Sequence, residues 1–343
     1  MVNPMLTEIC DGVAGCLADG EAGHTWVRRY DGRGTDADVN QFLVILKPEI
    51  VATDGKPRTE ALRRTVAALT SHDVHIGAVR ALASEFVASE RLIPRHYPRL
   101  WDVSRRGRRA MSAVSIERMR RWRPDTARDS SRVVGAHEFL ERFADFTPYA
   151  LEVLTRNLEV VKLGVGTYGM EMLVDDEKWI VVNGFHPQQL AHFTRPGGAI
   201  VVLECRSKRR MADIRRDTIG VTEPDLAVAG SIKHLLYTEQ TDLGIGPICT
   251  RRNGVHISPG PLEGMACIRR YFSDSHAPIP LADTALGAAL LRRGHRSEDI
   301  AALEDGPEVD VAGARGPLFE VTEDMNWDEA LEFASALLDS DAS

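Results

Sequence analysis

Residues 41–48 read QFLVILKP, a short apolar run that ends at a lysine and a proline. Proline lacks the N–H group that a sheet ladder needs, and the run therefore predicts a strand over 41–47 that stops at Pro48. An amphipathic helix is predicted next, over 58–69, where leucine, valine and alanine alternate with arginine and threonine. A second strand is predicted over 74–82, VHIGAVRAL. These three segments form one strand–helix–strand half.

A second half lies far along the chain. Residues 199–205, AIVVLEC, form the clearest candidate for a buried strand, and a basic helix is predicted to follow over 208–218. Residues 251–264 are rich in Gly and Pro, which predicts irregular backbone. The order is strand–helix–strand, a long interruption, then strand–helix–strand. Two such halves build a ferredoxin-like βαββαβ fold of the α+β class, an antiparallel sheet with helices on one face.

The length of the chain leaves room for more than this core. At about 100–200 residues per domain, 343 residues allow two domains, or one domain with large additions. The interruption is interpreted as an α+β insertion, with a helical region over 137–161 and a hairpin over 169–183. The predicted organisation is an N-terminal extension over 1–39, a core over 40–98 and 198–273, an insertion over 99–197, and a C-terminal extension over 274–343 that ends in a helix.

The composition predicts a soluble cytoplasmic protein. Hydrophobic residues make up 43% of the chain, charged residues 27%, and the net charge is −8. The net charge argues against nucleic acid as a partner. Residues 105–123 hold eight arginines against the single acid Glu117, which could bind phosphate groups. Such a run is more often a solvated helix face or an oligomer contact. No stretch approaches 18 uninterrupted apolar residues, and no membrane segment is expected. The five cysteines are scattered and the first residues do not resemble a signal peptide, which predicts reduced thiols.

The core contains residue types that phosphoryl transfer requires, which are cations around the phosphate oxygens, hydrogen-bond donors and an in-line nucleophile. Lys47, Arg216 and Lys233 could supply the positive charge. Thr222 and Asn253 could donate hydrogen bonds to phosphate oxygens.

His256 is the candidate nucleophile. It lies in the Gly/Pro-rich segment 251–264, where irregular backbone is expected to hold its side chain exposed. Imidazole has an ordinary pKa near 6.5, and its neutral form is therefore available as a nucleophile near neutral pH.

The order and spacing of these residues resemble those of nucleoside diphosphate kinases. In that family a Lys-Pro pair ends the first strand, as Lys47-Pro48 does here, and a His-Tyr pair follows the second strand, as His96-Tyr97 does. The family's Arg-x3-Gly-x-Thr-x-Pro motif is matched by residues 216–224, RDTIGVTEP. Its Gly-Thr-Ile-Arg element is matched by residues 230–233, GSIK, and its Asn-x2-His pair by residues 253–256, NGVH. Each motif is weak alone, and the resemblance rests on five in the expected order.

The resemblance implies a phosphotransferase that moves the γ-phosphate of ATP or another nucleoside triphosphate to an acceptor through phosphorylated His256. It implies Mg²⁺ held mainly by the phosphates, without a dedicated cluster of metal ligands. The acceptor is either a nucleoside diphosphate or a small metabolite, and the family's usual hexamers or tetramers raise homo-oligomerisation as a further expectation. The phosphates and base would be bound by Lys47, Tyr97, Arg216, Thr222, Lys233 and Asn253.

The chain departs from the family at several positions. Lys233 stands where the family has arginine, so that a planar two-pronged group becomes a point charge. Cys267 aligns with a glutamate that orients the catalytic imidazole, and Glu263, one turn earlier, is a candidate substitute. Ser258 matches a serine two residues after the histidine and is a second candidate support. These departures keep open an alternative function, a nucleotide-binding or regulatory module without catalysis.

Overall fold

The computed structural model describes residues 4–19, 23–32, 39–274, 277–311 and 314–341. Of the predicted N-terminal extension, residues 1–3, 20–22 and 33–38 lie outside the described part of the chain. In chain order, the strands of the described residues are β1 (His24–Arg28), β2 (Asn40–Leu46), β3 (His75–Ala83), β4 (Val133–Gly135), β5 (Val160–Gly164), β6 (Thr167–Val174), β7 (Glu177–Val182), β8 (Ala199–Ser207), β9 (Val255–Ile257), β10 (Glu308–Val311) and β11 (Ala314–Pro317).

The described residues form a mixed α+β protein with three sheets, of five, four and two strands, the last being β10 and β11. A π-helical turn over Ile214–Ile219 directly follows the helix α12. The α-helices of the described residues are α1 (Pro4–Ala18), α2 (Pro48–Val51), α3 (Thr59–Ser71), α4 (Ser84–Ser89), α5 (Leu92–His96), α6 (Pro98–Arg106), α7 (Ala113–Trp122), α8 (Pro124–Arg128), α9 (Ala136–Arg142), α10 (Pro148–Asn157), α11 (His186–Thr194), α12 (Met211–Asp213), α13 (Ile232–Thr238), α14 (Pro261–Phe272), α15 (Ala285–Arg292), α16 (Ser297–Ala302), α17 (Leu318–Val321) and α18 (Trp327–Asp341).

The chain divides into two compact units. The first unit is Met1–Phe86 with Pro196–Ser343, and the second unit is Val87–Arg195. The division places Tyr97 in the second unit, whereas the sequence assigned it to the core segment 40–98.

The first unit is built on a sheet whose described strands follow the order β1-β3-β8-β2-β9, with every neighbouring pair antiparallel. Both long apolar runs lie in this sheet. Val44 of β2 pairs with Leu203 of β8, and Ile45 pairs with His256 of β9 on its other side. The predicted strands 41–47, 74–82 and 199–205 therefore exist with ends shifted by one or two residues.

The sheet of the first unit is covered by helices on both faces, and the expectation of helices on one face is wrong. Phe42 and Val44 point into a core that includes Leu62 of α3 and residues of α1 and α13. On the opposite face α14 approaches β2 so closely that a Cβ added to Gly264 would lie 2.5 Å from the carbonyl oxygen of Gln41. The physical reason is visible in β2 itself, which is buried at all seven positions, because a strand that is apolar at consecutive positions must be covered on both sides.

Other segments of the first unit also differ from expectation. Residues 251–264 contain the strand β9 and the start of α14, although they were expected to be irregular. The basic helix predicted over 208–218 is a short α-helical turn followed by the π-helical turn. The short strand β1 was not predicted. The C-terminal residues form a second cluster, in which Leu331 of α18 packs with Leu290 of α15 and Leu262 of α14.

The second unit contains its own sheet, in the order β4-β7-β6-β5, which is antiparallel except for the parallel pair β4–β7. The predicted hairpin is present as β6 and β7. Its turn residues Asp175 and Asp176 both have positive φ angles, as a tight two-residue hairpin turn requires. The helical region expected over 137–161 is divided, because Pro148 begins a new helix and residues from Val160 onward form β5.

None of the helices in the described ranges combines the length and the apolar character needed to cross a lipid bilayer.

Candidate active site

Lys47 lies at the end of β2, where Pro48 starts the helix α2. Its side chain is buried, with 7% exposure, and its Nζ donates a hydrogen bond of 2.6 Å to Oδ1 of Asn253. Its backbone N–H donates to the carbonyl oxygen of Gly254 at 2.8 Å. The end of the first core strand is thereby joined to the segment that leads into β9.

The turn before β9 is fixed by a glutamate that the sequence analysis did not single out. Glu49, in α2, accepts a hydrogen bond of 2.8 Å from the backbone N–H of Gly254. Gly254 has a φ angle of +78°, and a Cβ at this position would collide with Leu236. Burial lowers the pKa of Lys47, while the nearby Glu49 carboxylate acts in the opposite direction.

Asn253 connects three segments through its side chain. Its Oδ1 accepts from Lys47, and its Nδ2 donates to the carbonyl oxygens of Thr222 at 3.2 Å and Thr250 at 3.1 Å. Thr222 is itself exposed. Asn253 thus holds the backbone of the 220–224 loop against the strand that carries His256.

His256 lies on β9 and is half-buried, so the expectation that it sits in an irregular loop is wrong. A ring nitrogen of His256 and a carboxylate oxygen of Glu263 lie within 4.8 Å of each other. Burial raises the pKa of Glu263, Arg270 and Arg215 act in the opposite direction, and Glu323 raises it; together these effects place the pKa at about 7. A carboxyl group close to this imidazole is therefore partly protonated at neutral pH.

The other residues expected to support His256 have different surroundings. The hydroxyl of Ser258 accepts a hydrogen bond of 3.0 Å from the N–H of Leu43, and its own N–H donates to the carbonyl of Leu43. Ser258 thus extends the pairing of β9 with β2. Cys267 is fully buried in α14, and burial strongly raises the pKa of its thiol. Cys267 cannot supply the negative charge of the glutamate whose aligned position it occupies.

Lys233 contributes a second buried ammonium group. It lies in the first turn of α13 with 8% exposure. Burial lowers its pKa, and with the positive charges of Lys47 and Arg215 the pKa falls to about 7. Gly220 lies close to Lys233 because it has no side chain. Its φ angle is +94°, and a Cβ at this position would lie 2.8 Å from Oγ of Ser231 and 3.1 Å from Cβ of Lys233.

Arg216 is placed differently from the other predicted residues of the first unit. Its guanidinium is largely exposed and forms ion pairs with Asp213 at 2.9 Å and with Asp217 at 2.7 Å. Its neighbour Arg215 has only 27% of its side chain exposed and forms ion pairs with Glu323 and Asp324.

Arg215 acts electrostatically on two residues of the site, because its charge shifts the pKa values of both Lys233 and Glu263, whereas Arg270 shifts that of Glu263. Sequence spacing missed Arg215, since the matched motif begins at Arg216. The sequence offered only the adjacent pair of arginines as a signal. The π-helical turn that contains both, a geometry often found at functional sites, is visible only in the structure.

Tyr97 belongs to the second unit, where it lies between α5 and α6. Its ring packs edge-on against His96, with 4.4 Å between the ring centroids. The structure therefore joins Lys47 to Asn253, brings Lys233 close enough for the charge of Lys47 to act on it, and places His256 beside Glu263. All five residues belong to the first unit, and Thr222 is joined to Asn253 through its backbone.

This arrangement can bind anions and offers a nucleophile. Two buried lysines, of which Lys47 lowers the pKa of Lys233, form an environment in which a multiply charged anion is favoured. The adjacent imidazole and carboxyl group are a nucleophile with a group able to orient it.

Among solved structures, the chain is similar to an NDP kinase from Pyrobaculum aerophilum. That protein is 16% identical to this chain, and the match covers 70% of this chain and 100% of the other, with a TM-score of 0.33. No protein-family model matches the chain, and no curated protein does. A likeness at this TM-score does not indicate a function.

Proposed function

We propose that the first unit is a phosphotransferase of the nucleoside diphosphate kinase type, with a ferredoxin-like sheet as its scaffold. The order of elements β2-α3-β3-β8-α13-β9 matches a βαββαβ unit, and β2 lies between β8 and β9 in the sheet. The observation that carries the proposal is the convergence of two buried lysines, Lys47 and Lys233, with Asn253 joining Lys47 to the strand of His256.

The phosphates of a nucleoside triphosphate are proposed to bind to the two lysines and to Asn253. They would replace some of the hydrogen bonds that these side chains form with each other and with the backbone. A buried ammonium group without an anion has a lowered pKa because burial disfavours its charged form, and an arriving phosphate restores that form. Arg215 would contribute a third positive charge if it exchanges Glu323 for phosphate oxygens. In this proposal Arg215 replaces Arg216 as the phosphate-binding arginine.

His256 then attacks the γ-phosphorus with its neutral imidazole. A nitrogen–phosphorus bond forms, the bond from phosphorus to the bridging oxygen breaks, and the nucleoside diphosphate leaves with the electron pair. Glu263 in its ionised form stabilises the positive charge that develops on the ring. In the second half of the cycle an acceptor, a nucleoside diphosphate or a small metabolite, takes the phosphoryl group from His256.

Mg²⁺ is proposed to enter with the nucleotide. The polar groups gathered here are dominated by the ammonium groups of Lys47 and Lys233, which would repel a bare cation, whereas a divalent ion bound to phosphate oxygens balances their charge. The stacking of a base on Tyr97 and the formation of a homo-oligomer stay predictions.

A second candidate function is nucleotide binding without catalysis. It is favoured by the exposed position of Arg216, which is committed to Asp213 and Asp217, and by the replacement of the orienting glutamate with Cys267.

The test is incubation with γ-labelled ATP and Mg²⁺. We expect a label that is labile in acid and stable in alkali, absent in His256→Ala and retained in the exposed control His75→Ala. Glu263→Gln should form the label more slowly while nucleotide binding persists, because it loses the charge that faces the imidazole. Nucleoside diphosphates are then added to the labelled protein to remove the phosphoryl group.

Each outcome assigns a function. Label that nucleoside diphosphates remove supports the kinase, and label that they do not remove supports a different acceptor. Nucleotide binding without label supports the non-catalytic module. Absence of nucleotide binding, in a protein whose unfolding transition is normal, would contradict both functions.

A further inference from the structure

The second unit contains an arginine-lined cavity that the proposed function does not use. The cavity has a volume of about 370 Å³ and is lined by Arg108, Arg120, Pro124, Ala127 and Arg128. This volume lies within the range of small-molecule sites, roughly 300–1,000 Å³. All of its lining residues come from one continuous segment of the second unit.

Three short elements bring the arginines together. Arg108 lies in the 3₁₀ turn after α6, Arg120 near the end of α7, and Arg128 at the end of α8. Arg108 is half-buried and is fixed by a hydrogen bond of 3.0 Å from its Nη1 to the carbonyl oxygen of Ala127. A guanidinium has five N–H donors, so this anchoring leaves four for a ligand.

The arginines of the cavity differ from most of their neighbours in their ion pairs. Within the described part of the chain, neither Arg108 nor Arg120 has a carboxylate at ion-pairing distance, and Arg128 reaches Asp125 only at 3.9 Å with both side chains exposed. Of the six other arginines over 105–123, four are paired with carboxylates, which are Arg106 with Asp102, Arg109 with Glu138, Arg121 with Glu117 and Arg123 with Glu159.

We propose that this cavity binds the phosphate group of a small anionic ligand. Guanidinium groups match phosphate oxygens with paired, charge-assisted hydrogen bonds, and three of them converge here around a concave surface. The pre-ordered Arg108 reduces the entropy lost on binding. The ligand class is a compound with one phosphate or a short chain of phosphates, and the site acts independently of the candidate active site in the first unit.

A concave site favours a small ligand over a nucleic acid. An extended phosphate backbone would spread its contacts along the basic segment and would use Arg118, which lies on α7 outside the cavity, as much as Arg120. A compact phosphate compound would depend on the lining arginines alone. This difference allows one substitution to separate the two kinds of ligand.

The experiment is a calorimetric titration of the full-length protein with inorganic pyrophosphate at low ionic strength. Arg120→Gln should weaken the affinity about 10-fold, as expected from the loss of hydrogen bonds to a charged group, and adding Arg128→Gln should weaken it further. The matched control is Arg118→Gln, which removes the same charge from the same exposed helix and should leave the affinity within about 2-fold.

The proposed anion site of the first unit would also bind pyrophosphate, but that binding would be common to all variants and would not change with Arg120. Failure of the proposed phosphotransfer would therefore leave this result unaffected. The proposal is overturned if wild-type protein and Arg120→Gln bind pyrophosphate equally, or if Arg118→Gln weakens binding as much as Arg120→Gln. It is also overturned if a single-stranded oligonucleotide displaces pyrophosphate and loses affinity equally in both variants, which would identify a nucleic-acid surface.

Discussion

Lys233 is the residue whose chemistry differs most from that expected of a surface lysine. It is 8% exposed, and its pKa is lowered to about 7 by burial and by the charges of Lys47 and Arg215. Phosphate binding should raise this pKa toward its ordinary value, and the protein should take up a proton on binding at about pH 8. We expect Lys233→Arg to bind tripolyphosphate with up to about one proton less taken up, because arginine stays charged throughout.

The measurement is calorimetry in two buffers with different ionisation enthalpies. Lys208→Arg, at an exposed position of the same unit, is the control and should behave as wild type. If the uptake were unchanged in Lys233→Arg, Lys233 would already carry its proton in the free protein and the two lysines would not share an anion.

At the scale of single residues, the order of motifs predicted one proximity in the fold, but it did not predict where each side chain points. Lys47 and Asn253 are 206 positions apart and form a direct hydrogen bond, a proximity that only the order of motifs suggested. Arg216 was chosen by motif spacing, but spacing cannot register the wider π-helical turn that contains it, and Arg215 is the neighbour that acts electrostatically on the site. Glu49 was missed because a glutamate after Lys-Pro has no distinctive signal in one sequence.

The loop that carries Gly220 and Gly230 offers a matched test of how closely the elements of the site are packed. Both glycines have φ angles above +90°, but a Cβ at Gly220 would crowd Ser231 and Ala227, whereas a Cβ at Gly230 would meet nothing within 4 Å. We expect Gly230→Ala to lower the free energy of unfolding by about 1–3 kcal/mol through backbone strain alone. Gly220→Ala should lose roughly a further 1–3 kcal/mol through crowding.

Urea denaturation measures this difference, with the slope of the transition as a check that both variants unfold in the same way. Equal losses in the two variants would mean that the loop relaxes away from α13. The approach of Gly220 to Lys233 would then not be a fixed feature of the site.

At the scale of elements, continuous apolar runs were sufficient for the central strands. The runs of β2 and β8 are long and bounded, and the structure places them side by side. The strands β1 and β9 were missed because five and three residues carry too little pattern to distinguish them from loop. The same runs explain why helices cover both faces of the sheet, although helices on one face were expected. An apolar strand without alternation has no face that tolerates water.

The segment after α17 places two carboxylates on an arginine of the site. Glu323 and Asp324 both pair with Arg215, and the Glu323 charge also raises the pKa of Glu263. An incoming phosphate must compete with these carboxylates. We expect the double variant Glu323→Gln/Asp324→Asn to bind tripolyphosphate about 2–10-fold more tightly, in line with the modest energy of partly exposed ion pairs.

The control for this prediction is Glu320→Gln/Asp328→Asn, which removes the same two charges from exposed positions of the same segment. It should change the affinity much less, because neither residue pairs with Arg215. Equal tightening in both double variants would show that only the net charge of the protein matters, and it would remove Arg215 from the proposed site.

At the scale of the whole molecule, the second unit interrupts the first between neighbouring strands. Ala83, the last residue of β3, is the direct partner of Ala199, the first residue of β8, and the N–H of Ser84 donates to the carbonyl of Gly198 at 2.9 Å. Antiparallel neighbours of this kind can be joined by a short turn. We expect a variant with residues 87–195 replaced by a short glycine-rich loop to fold, because the change in loop length costs only about 1 kcal/mol. It should lose the tripolyphosphate site proposed for the second unit and keep the site of the first unit with an affinity within about 3-fold of wild type.

Circular dichroism, a cooperative urea transition and calorimetry are the measurements for this variant. An aggregated product, or a folded product that has lost tripolyphosphate binding, would show that the first unit requires the second for its structure or for its anion site. Loss of nucleotide binding alone, with tripolyphosphate binding intact, would indicate that Tyr97 or its surroundings bind the base.

The pairing of Ala83 with Ala199 also has a consequence for how the chain folds. β8 is central in its sheet, and its ladder with β3 joins residues more than one hundred positions apart. Closing so long a loop is entropically costly and slow when the intervening chain is disordered, because the ends must meet before any contact is gained. If Val87–Arg195 collapses first, it holds the two strand ends near each other and shortens the effective loop. The inserted unit would then set the rate at which the sheet around it assembles, in addition to any ligand that it binds.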